Sequence, residues 1–342
     1  MAHDLNVRNG RVSFAFAGDR TKIWHGLGQQ ADMQSWTLDD WIRESGLDYT
    51  AVLVPAYADF NGQRVNHGFL NLHSETGFPF AHVSKMFKNV QPRELVESFQ
   101  RYIDHDERFT MSGMGALGNG QRIFATAQFA DFTTAGESFK AFLLSSTAFD
   151  GSSATTHRAT MVRTVCRNTL QAAFGDKDAV ISTRHSTQYN ADKVARELET
   201  IVQSTERFRA MGDAMADQRM AKEVVSKLFK RLLEIPFDAK PDDVSSRKMN
   251  QFRDLSSAYA TTVTEGAPEG TAWSALQAVT RYVDHDRSTR NGGDDEHGAR
   301  FMSAQFGSGA QMKAEAVRLL TVDDDFGALF KTTFAPPSRG GD

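Results

Sequence analysis

The stretch that decides the fold is ESFKAFLLSSTAFDGSSATTHRATMVRTV, residues 137–165. Two runs rich in β-branched and aromatic residues, 137–149 and 154–165, flank the polar segment DGSS, which is typical of a hairpin turn. Earlier in the chain, the runs 108–117 and 122–129 flank GNGQ, where Asn-Gly tolerates the positive φ of a tight turn. The sequence therefore predicts two antiparallel hairpins in the middle of the chain.

Strand signals dominate the first half of the chain, and helical spacing dominates the second. Strand-like runs also cover 49–57, 65–73 and 77–85, and a helix-like segment at 91–104 interrupts the strands. We expect the central hairpin to lead into a helix at 166–174. Apolar stripes predict further helices at 190–216, 218–234, 242–262, 268–284 and 309–321.

This order of elements predicts an α+β fold. Its N-terminal half is antiparallel and strand-rich with a helix insertion, and its C-terminal half is mostly helical. We divide the chain into a strand-rich α+β domain at 1–189, a helical region packed on it at 190–325 and a disordered tail at 326–342.

Composition and charge restrict the class of protein. The net charge of −4 gives no overall basic field, so a nucleic-acid binder of this composition needs a local basic stripe. The single cysteine, Cys166, cannot form an intrachain disulfide, and we interpret it as a small buried residue. No signal-peptide core opens the chain, and no apolar run approaches the ~18 residues of a membrane span. We therefore expect a cytoplasmic protein with no membrane contact.

Two similar stretches, RYIDHDER at 101–108 and RYVDHDRS at 281–288, each carry an Asp-His-Asp group. As metal ligands, such carboxylates suit Mg²⁺ or Mn²⁺, and the histidines suit a softer ion. The alternative is that a polar cluster ends two amphipathic helices, with His favoured at the C-terminal dipole. The flanks share nothing else, so we favour helix ends over a duplicated domain. The metal candidates that we retain are Asp284, His285 and Asp286.

One segment, 156–189, is locally basic. Its cations stand among Thr, Ser and Asn residues that also contact phosphate oxygens in nucleic-acid complexes. The alternative, left open, is that one or more of these arginines pairs with a buried acid and joins sheet to helix. The candidate nucleic-acid-binding residues are Arg158, Arg163, Arg167, Lys177 and Arg184.

The well-marked catalytic signatures do not occur in the sequence. There is no Gly-x-Ser-x-Gly, His-Glu-x-x-His or Cys-x-x-Cys, and GMGALGNG at 113–120 lacks phosphate-loop spacing. We therefore name no catalytic residue and no cofactor. The basic amphipathic helix within 218–234 and the polar loop at 288–299 are candidate contacts for a protein partner.

Three blocks resemble one family, the phage/plasmid-like proteins that share the domain of unknown function numbered 932. They are MAHDL…WHGLG at 1–30, SSTAFDGSSATTHRATMVRTVCRNTL within 137–171, and TAWSALQAVTRYVDHDR…AEAVRLL within 271–320. The resemblance implies a phage or mobile-element setting but supplies no activity or catalytic residues. In outline, strands followed by long helices are also similar to phage single-strand annealing proteins, which is a fold-level analogy.

Three functions fit these observations. The first is a non-catalytic DNA-binding protein, with single-stranded DNA favoured, that acts in annealing or recombination as a homo-oligomer. The second is an anti-defence protein that binds a host protein. The third is a metal-dependent nucleic-acid enzyme that uses an Asp-His-Asp cluster. We favour the first.

Overall fold

The computed structural model describes residues 5–18, 28–32, 35–163, 169–171, 180–288, 300, 303–322 and 326, with the backbone alone at 163 and 169–171. The strands are β1 Val7–Arg8, β2 Arg11–Val12, β3 Phe14–Phe16, β4 Gln29–Gln30, β5 Ala51–Phe60, β6 Gln63–His73, β7 Pro79–Val83, β8 Thr110–Leu117, β9 Arg122–Thr134, β10 Glu137–Ala148, β11 Thr155–Arg163, β12 Thr169–Gln171 and β13 Val180–Thr183.

The helices lie mainly in the second half of the chain. They are α1 Leu38–Glu44, α2 Pro92–His105, α3 Ala191–Asp217, α4 Lys222–Leu232, α5 Ser246–Thr264, α6 Ala272–Arg281 and α7 Ser308–Val322. A 3₁₀ turn covers Pro241–Asp243, and a π-helical turn, Tyr282–Asp286, continues α6.

Within the described residues, the large sheet has the order β12-β11-β10-β9-β8-β3-β4, and β13 also pairs with β11. The central hairpin is as predicted: β10 and β11 are antiparallel, with Leu144 opposite Arg158 and Ser146 opposite Thr156. The β8–β9 hairpin is also as predicted. Its turn has positive φ at Gly118 and Gly120, which glycine adopts without a side-chain clash.

The two faces of the large sheet differ because side chains alternate along each strand. The inner face is apolar and packs against α2 and α3 in the main core. Its buried members include Ile123, Ala125, Leu143, Ala159 and Met161. The outer face carries a smaller apolar cluster of Leu5, Phe14, Phe16, Leu117, Phe124 and Leu144. The two apolar clusters therefore lie on opposite faces of the large sheet.

The helical half shares the main core with the sheet. Phe208 on α3 and Trp273 on α6 contact Phe139 of β10 at ring-centre distances of 5.5 and 5.8 Å. The Trp273 indole donates a hydrogen bond of 2.6 Å to the buried carboxylate of Glu137. These contacts join α3 and α6 to the β9–β10 hairpin.

Within the described residues, β1 and β2 form a two-stranded sheet, and β5, β6 and β7 form a separate three-stranded sheet. The β5–β6 hairpin turns at Asn61 and Gly62, both at positive φ. Its far end, residues 57–67, is exposed on both faces. We call these residues the arm tip.

The α+β fold and its division into strand-rich and helical halves are confirmed. One element is wrong: the helix predicted from Cys166 contains a strand at Thr169–Gln171, paired with β11. The β11 edge supplies backbone partners, and this pairing overrides a weak local helical pattern. Phe326, assigned to the disordered tail, is buried and accepts a hydrogen bond of 2.7 Å from Gln218, and 327–342 lies outside the described residues.

Candidate functional site

Two arginines from different strands share the outer face of the large sheet. Arg122 begins β9 and pairs with Ala148 of β10, while Arg158 of β11 pairs with Leu144 of the same strand. Positions 144 and 148 lie four residues apart on one strand, so both arginines face the same side. Pairing with β10 therefore brings together two cations that are 36 residues apart in the sequence.

An aromatic ring from the helical half lies against both guanidinium groups. The Phe306 ring centre is 4.5 Å from Cζ of Arg122 and 5.3 Å from Cζ of Arg158, both within cation–π range. Arg122 also donates hydrogen bonds to the hydroxyls of Ser152 and Ser153, at 3.0 and 3.1 Å. Arg122 is thus held between the Phe306 ring and the turn of the central hairpin, and Arg158 lies against the same ring.

Further basic residues surround that turn. His185 follows β13, and its Nε2 lies 2.9 Å from the Ser153 carbonyl oxygen. The backbone N–H of Lys88 donates to the His185 carbonyl at 2.6 Å, and Phe87 stacks on the His185 ring at 4.4 Å. The side chains of Lys88 and Arg184 are exposed. We call Lys88, Arg122, Arg158, Arg184 and Phe306 the arginine surface.

Burial changes the electrostatics of this surface without removing its charge. Arg122 is only 7% exposed, and Arg158 is partly buried beside it. Desolvation, with repulsion from Arg122, lowers the pKa of Arg158 to about 10, so it remains a cation at pH 7. Asp150 adds one acid at the turn, where it accepts hydrogen bonds from Ser152. The exposed guanidinium of Arg184 offers donors that suit phosphate oxygens, and the more buried Arg122 and Arg158 contribute positive charge near the same turn.

The described arginines among those selected from the sequence lie at separate places along the ladders of strand β11. Arg158 pairs with Val180 at one end of the β11–β13 ladder, and Arg184 follows the Thr155–Thr183 pair at the other end, near the hairpin turn. Arg163 pairs with Phe139 at the far end of the β10–β11 ladder, and its side chain lies outside the described residues. Arg167 and Lys177 also lie outside the described residues.

Sequence reasoning missed Arg122, Lys88 and Phe306. Arg122 lies two residues before Phe124 at the start of a predicted strand, so the alternation weakly indicates that the two side chains share a face. No local pattern connects Phe306 or Lys88 with the central hairpin. Phe306 reaches the outer face only because the helical half packs on it. Lys88 lies near the turn only because the segment after β7 packs against His185.

The second copy of the Asp-His-Asp motif lies in the π-helical turn after α6. Lys313 of α7 donates a hydrogen bond of 2.9 Å to Asp284, and both side chains are buried. Arg281 lies 3.8 Å from Asp286, while burial raises the pKa of that carboxyl. His285 is adjacent and partly buried. The structure thus uses Asp284 in an ion pair between two helical elements.

The first copy of the motif ends α2. Asp104 accepts from Gln100 at 2.8 Å, and Asp106 accepts from Arg108, which also contacts Glu199 of α3. Across the part of the chain that the structure describes, no group of three or more His, Cys, Asp or Glu side chains is arranged to hold a metal ion.

A buried polar chain crosses the inner face of the sheet. Ser145 Oγ lies 2.7 Å from Nδ1 of His157, whose Nε2 lies 3.4 Å from the Tyr189 hydroxyl. That hydroxyl lies 2.7 Å from the hydroxyl of Tyr102 on α2. Ser145 and His157 are fully buried, so this is a structural link between sheet and helix rather than a surface for substrate.

Fold and site together define a strand-rich α+β protein with a basic, partly aromatic outer sheet face. A family profile described as a domain of unknown function (DUF932) matches residues 79–304, about two thirds of the chain, and the chain belongs to this family. No curated protein and no solved structure matches the chain significantly. In the described part of the chain, no helix has the length and apolar character needed to cross a membrane.

Proposed function

We propose that this protein binds single-stranded DNA on the arginine surface, in a non-catalytic annealing or recombination role for a phage or other mobile element. The observation that carries the proposal is the convergence of Arg122 and Arg158 on Phe306 at the outer sheet face. The net charge of the chain is −4, so binding depends on this local cluster rather than on an overall field.

The arrangement suits a nucleic-acid strand in two respects. Exposed Lys88 and Arg184 lie around the hairpin turn and offer donors to phosphate oxygens. Phe87 is partly buried against His185 and presents an aromatic group beside those cations. Unpaired bases stack on aromatic rings, which favours single-stranded over duplex DNA.

Fluorescence polarisation with a labelled single-stranded oligonucleotide, titrated at several salt concentrations, tests this proposal. We expect binding that weakens steeply as salt rises, because phosphate contacts release counterions. The variants Lys88→Ala and Arg184→Ala change exposed side chains, so the fold is retained. Each is expected to weaken binding to all sequences alike and to reduce the salt slope by roughly 1.

The matched control is Arg196→Ala, an exposed arginine on α3, which packs on the inner face of the sheet. It should leave both affinity and salt slope unchanged. The proposal fails if the wild-type protein does not bind at low salt, or if Arg196→Ala weakens binding as much as Arg184→Ala does. Equal affinity for single strands and duplexes would overturn the single-strand preference.

A further inference from the structure

The arm tip carries an Asn-Gly pair at the point where the chain reverses direction. Asn61 and Gly62 form the two-residue turn between β5 and β6, and Phe60 pairs with Gln63 on either side of it. Both turn residues are exposed, and both lie at positive φ, 50° and 75°. Asn-Gly suits such a turn because both residues tolerate the left-handed region. The same pair is also chemically reactive, because glycine has no side chain to shield its backbone nitrogen.

Nothing in the described part of the chain packs on this turn. A Cβ built on Gly62 would have no heavy atom within 4 Å, and the adjacent Phe60 side chain is 70% exposed. Among the described residues, the Gly62 N–H meets no hydrogen-bond acceptor. A two-stranded hairpin without a covered face is marginally stable, so its end opens at a low cost in free energy.

A second Asn-Gly pair, Asn119–Gly120, provides a comparison within the same chain. Gly120 is buried in the turn between β8 and β9. Its N–H donates a hydrogen bond of 3.1 Å to the Leu117 carbonyl, and its own carbonyl accepts from the buried Tyr49 hydroxyl. A Cβ on Gly120 would lie 3.2 Å from the His73 ring. The two pairs have the same sequence, but the fold encloses the second and leaves the first open.

We propose that Asn61 is a site of spontaneous deamidation. When the tip opens, the Gly62 backbone nitrogen loses its proton to hydroxide and attacks Cγ of Asn61. The side-chain nitrogen takes a proton from water and leaves as ammonia. The cyclic imide that remains then takes up one water molecule and opens to aspartate or isoaspartate. This inference is independent of the proposed DNA binding.

The product changes both the charge and the geometry of the arm tip. Residues 57–67 contain one acid, Asp59, and one base, Arg64, so their formal charge changes from zero to −1. Isoaspartate also adds one carbon to the main chain, whereas a two-residue turn matches the twist of the flanking strands only with standard backbone geometry. The pairing of Phe60 with Gln63 should therefore weaken.

Incubation of the native full chain at mildly alkaline pH, followed by trypsin digestion and mass spectrometry, tests the proposal. Trypsin separates the two pairs, because Asn61 lies in the peptide 44–64 and Asn119 in the peptide 109–122. Deamidation raises the mass of a peptide, and chromatography separates isoaspartate from aspartate. Asn61 is expected to react at least about tenfold faster than Asn119, because attack by Gly120 first requires a buried turn to open. A sample taken at zero time corrects for deamidation during digestion.

The unfolded chain supplies the reference rates. In denaturant both pairs are exposed, so the difference between their rates should disappear. Tyr49→Phe removes the hydroxyl that holds Gly120, and it should accelerate deamidation of Asn119 without changing that of Asn61. Asn61→Gln retains an amide but disfavours formation of the ring, so the peptide 44–64 should keep its mass.

Three outcomes would overturn the proposal. One is an Asn61 that reacts in denaturant but keeps its amide in the folded protein, because the closed turn would then protect it. Another is a rate at Asn61 in the folded protein no higher than that at Asn119. The third is a difference that persists unchanged in denaturant, which would assign it to the flanking residues rather than to the fold. All three are measured on the wild-type chain, so none depends on whether a variant folds.

Discussion

Lys313 and Asp284 form a buried ion pair of 2.9 Å between α7 and the π-helical turn that continues α6. Their side chains are 4% and 7% exposed, so both charges are removed from water together. This pair accounts for the second Asp-His-Asp copy as part of the packing of the helical half. The first copy, in which Asp106 accepts from Arg108, likewise joins two helices.

Removing either partner of this pair should destabilise the protein strongly. Asp284→Asn or Lys313→Met is expected to lower the free energy of unfolding by about 3–5 kcal/mol, because the remaining charge stays buried. Chemical denaturation measures the loss, and the double variant Asp284→Asn/Lys313→Met should cost less than the two single losses added together. A metal site would behave differently: a chelator would then lower the Tm of the wild-type protein, and we expect no such shift.

His157 should make the stability of the protein depend on pH. Burial lowers the pKa of His157 in the folded state to about 3, against 6.5 in an exposed chain. Below pH 6.5 the unfolded chain binds a proton that the folded protein excludes. The free energy of unfolding should therefore be highest above pH 6.5 and fall toward pH 3, by up to about 1.4 kcal/mol per pH unit.

Urea denaturation at a series of pH values measures this dependence. His157→Gln should reduce the slope of the unfolding free energy against pH by the equivalent of about one proton. It should also lower the free energy of unfolding at pH 7.5. Ser145→Ala serves as the control, because it removes a partner of His157 but leaves the ring buried, so the slope should persist. An unchanged slope in His157→Gln would assign the acid sensitivity to other groups, including His73, whose pKa burial also lowers.

Gly212 should not tolerate alanine, although alanine favours helices. A Cβ at position 212 would lie 2.4 Å from Oγ1 of Thr134 and 2.9 Å from the Trp273 ring. The expected loss is about 1–3 kcal/mol from overpacking, against a gain of about 1 kcal/mol in helix propensity. Thermal denaturation of Gly212→Ala, Thr134→Ala and the double variant tests this, and the double variant should lose less than the sum.

Phe306 should affect DNA affinity in a way that differs from the exposed cations. Phe306→Ala removes the ring that holds Arg122 and Arg158 but no charge. Affinity for a single-stranded oligonucleotide should therefore fall by about tenfold, or 1.4 kcal/mol, with the salt slope unchanged. Phe306→Tyr, which keeps the ring, should bind as the wild-type protein does. A reduced salt slope in Phe306→Ala would contradict this division of roles.

The sequence by itself determined the class of fold and most of its elements. Alternation in 137–149 and 154–165 and the DGSS turn sufficed for the central hairpin, because period-2 burial and turn chemistry are local properties. The long helices from 190 onward follow equally from local apolar spacing. Arg158 and Arg184 were chosen from local composition alone, and their DNA contact remains a prediction.

Tertiary structure alone decided which side chains meet. Arg122 and Arg158 share a face only because β10 pairs with both β9 and β11 in one register, and Phe306 reaches them only because the helical half packs on that face. The strand at Thr169–Gln171 and the pairing of Asp284 with Lys313 are likewise long-range. Strand register and helix packing depend on contacts between segments that are distant in the sequence. Local sequence patterns do not predict those contacts.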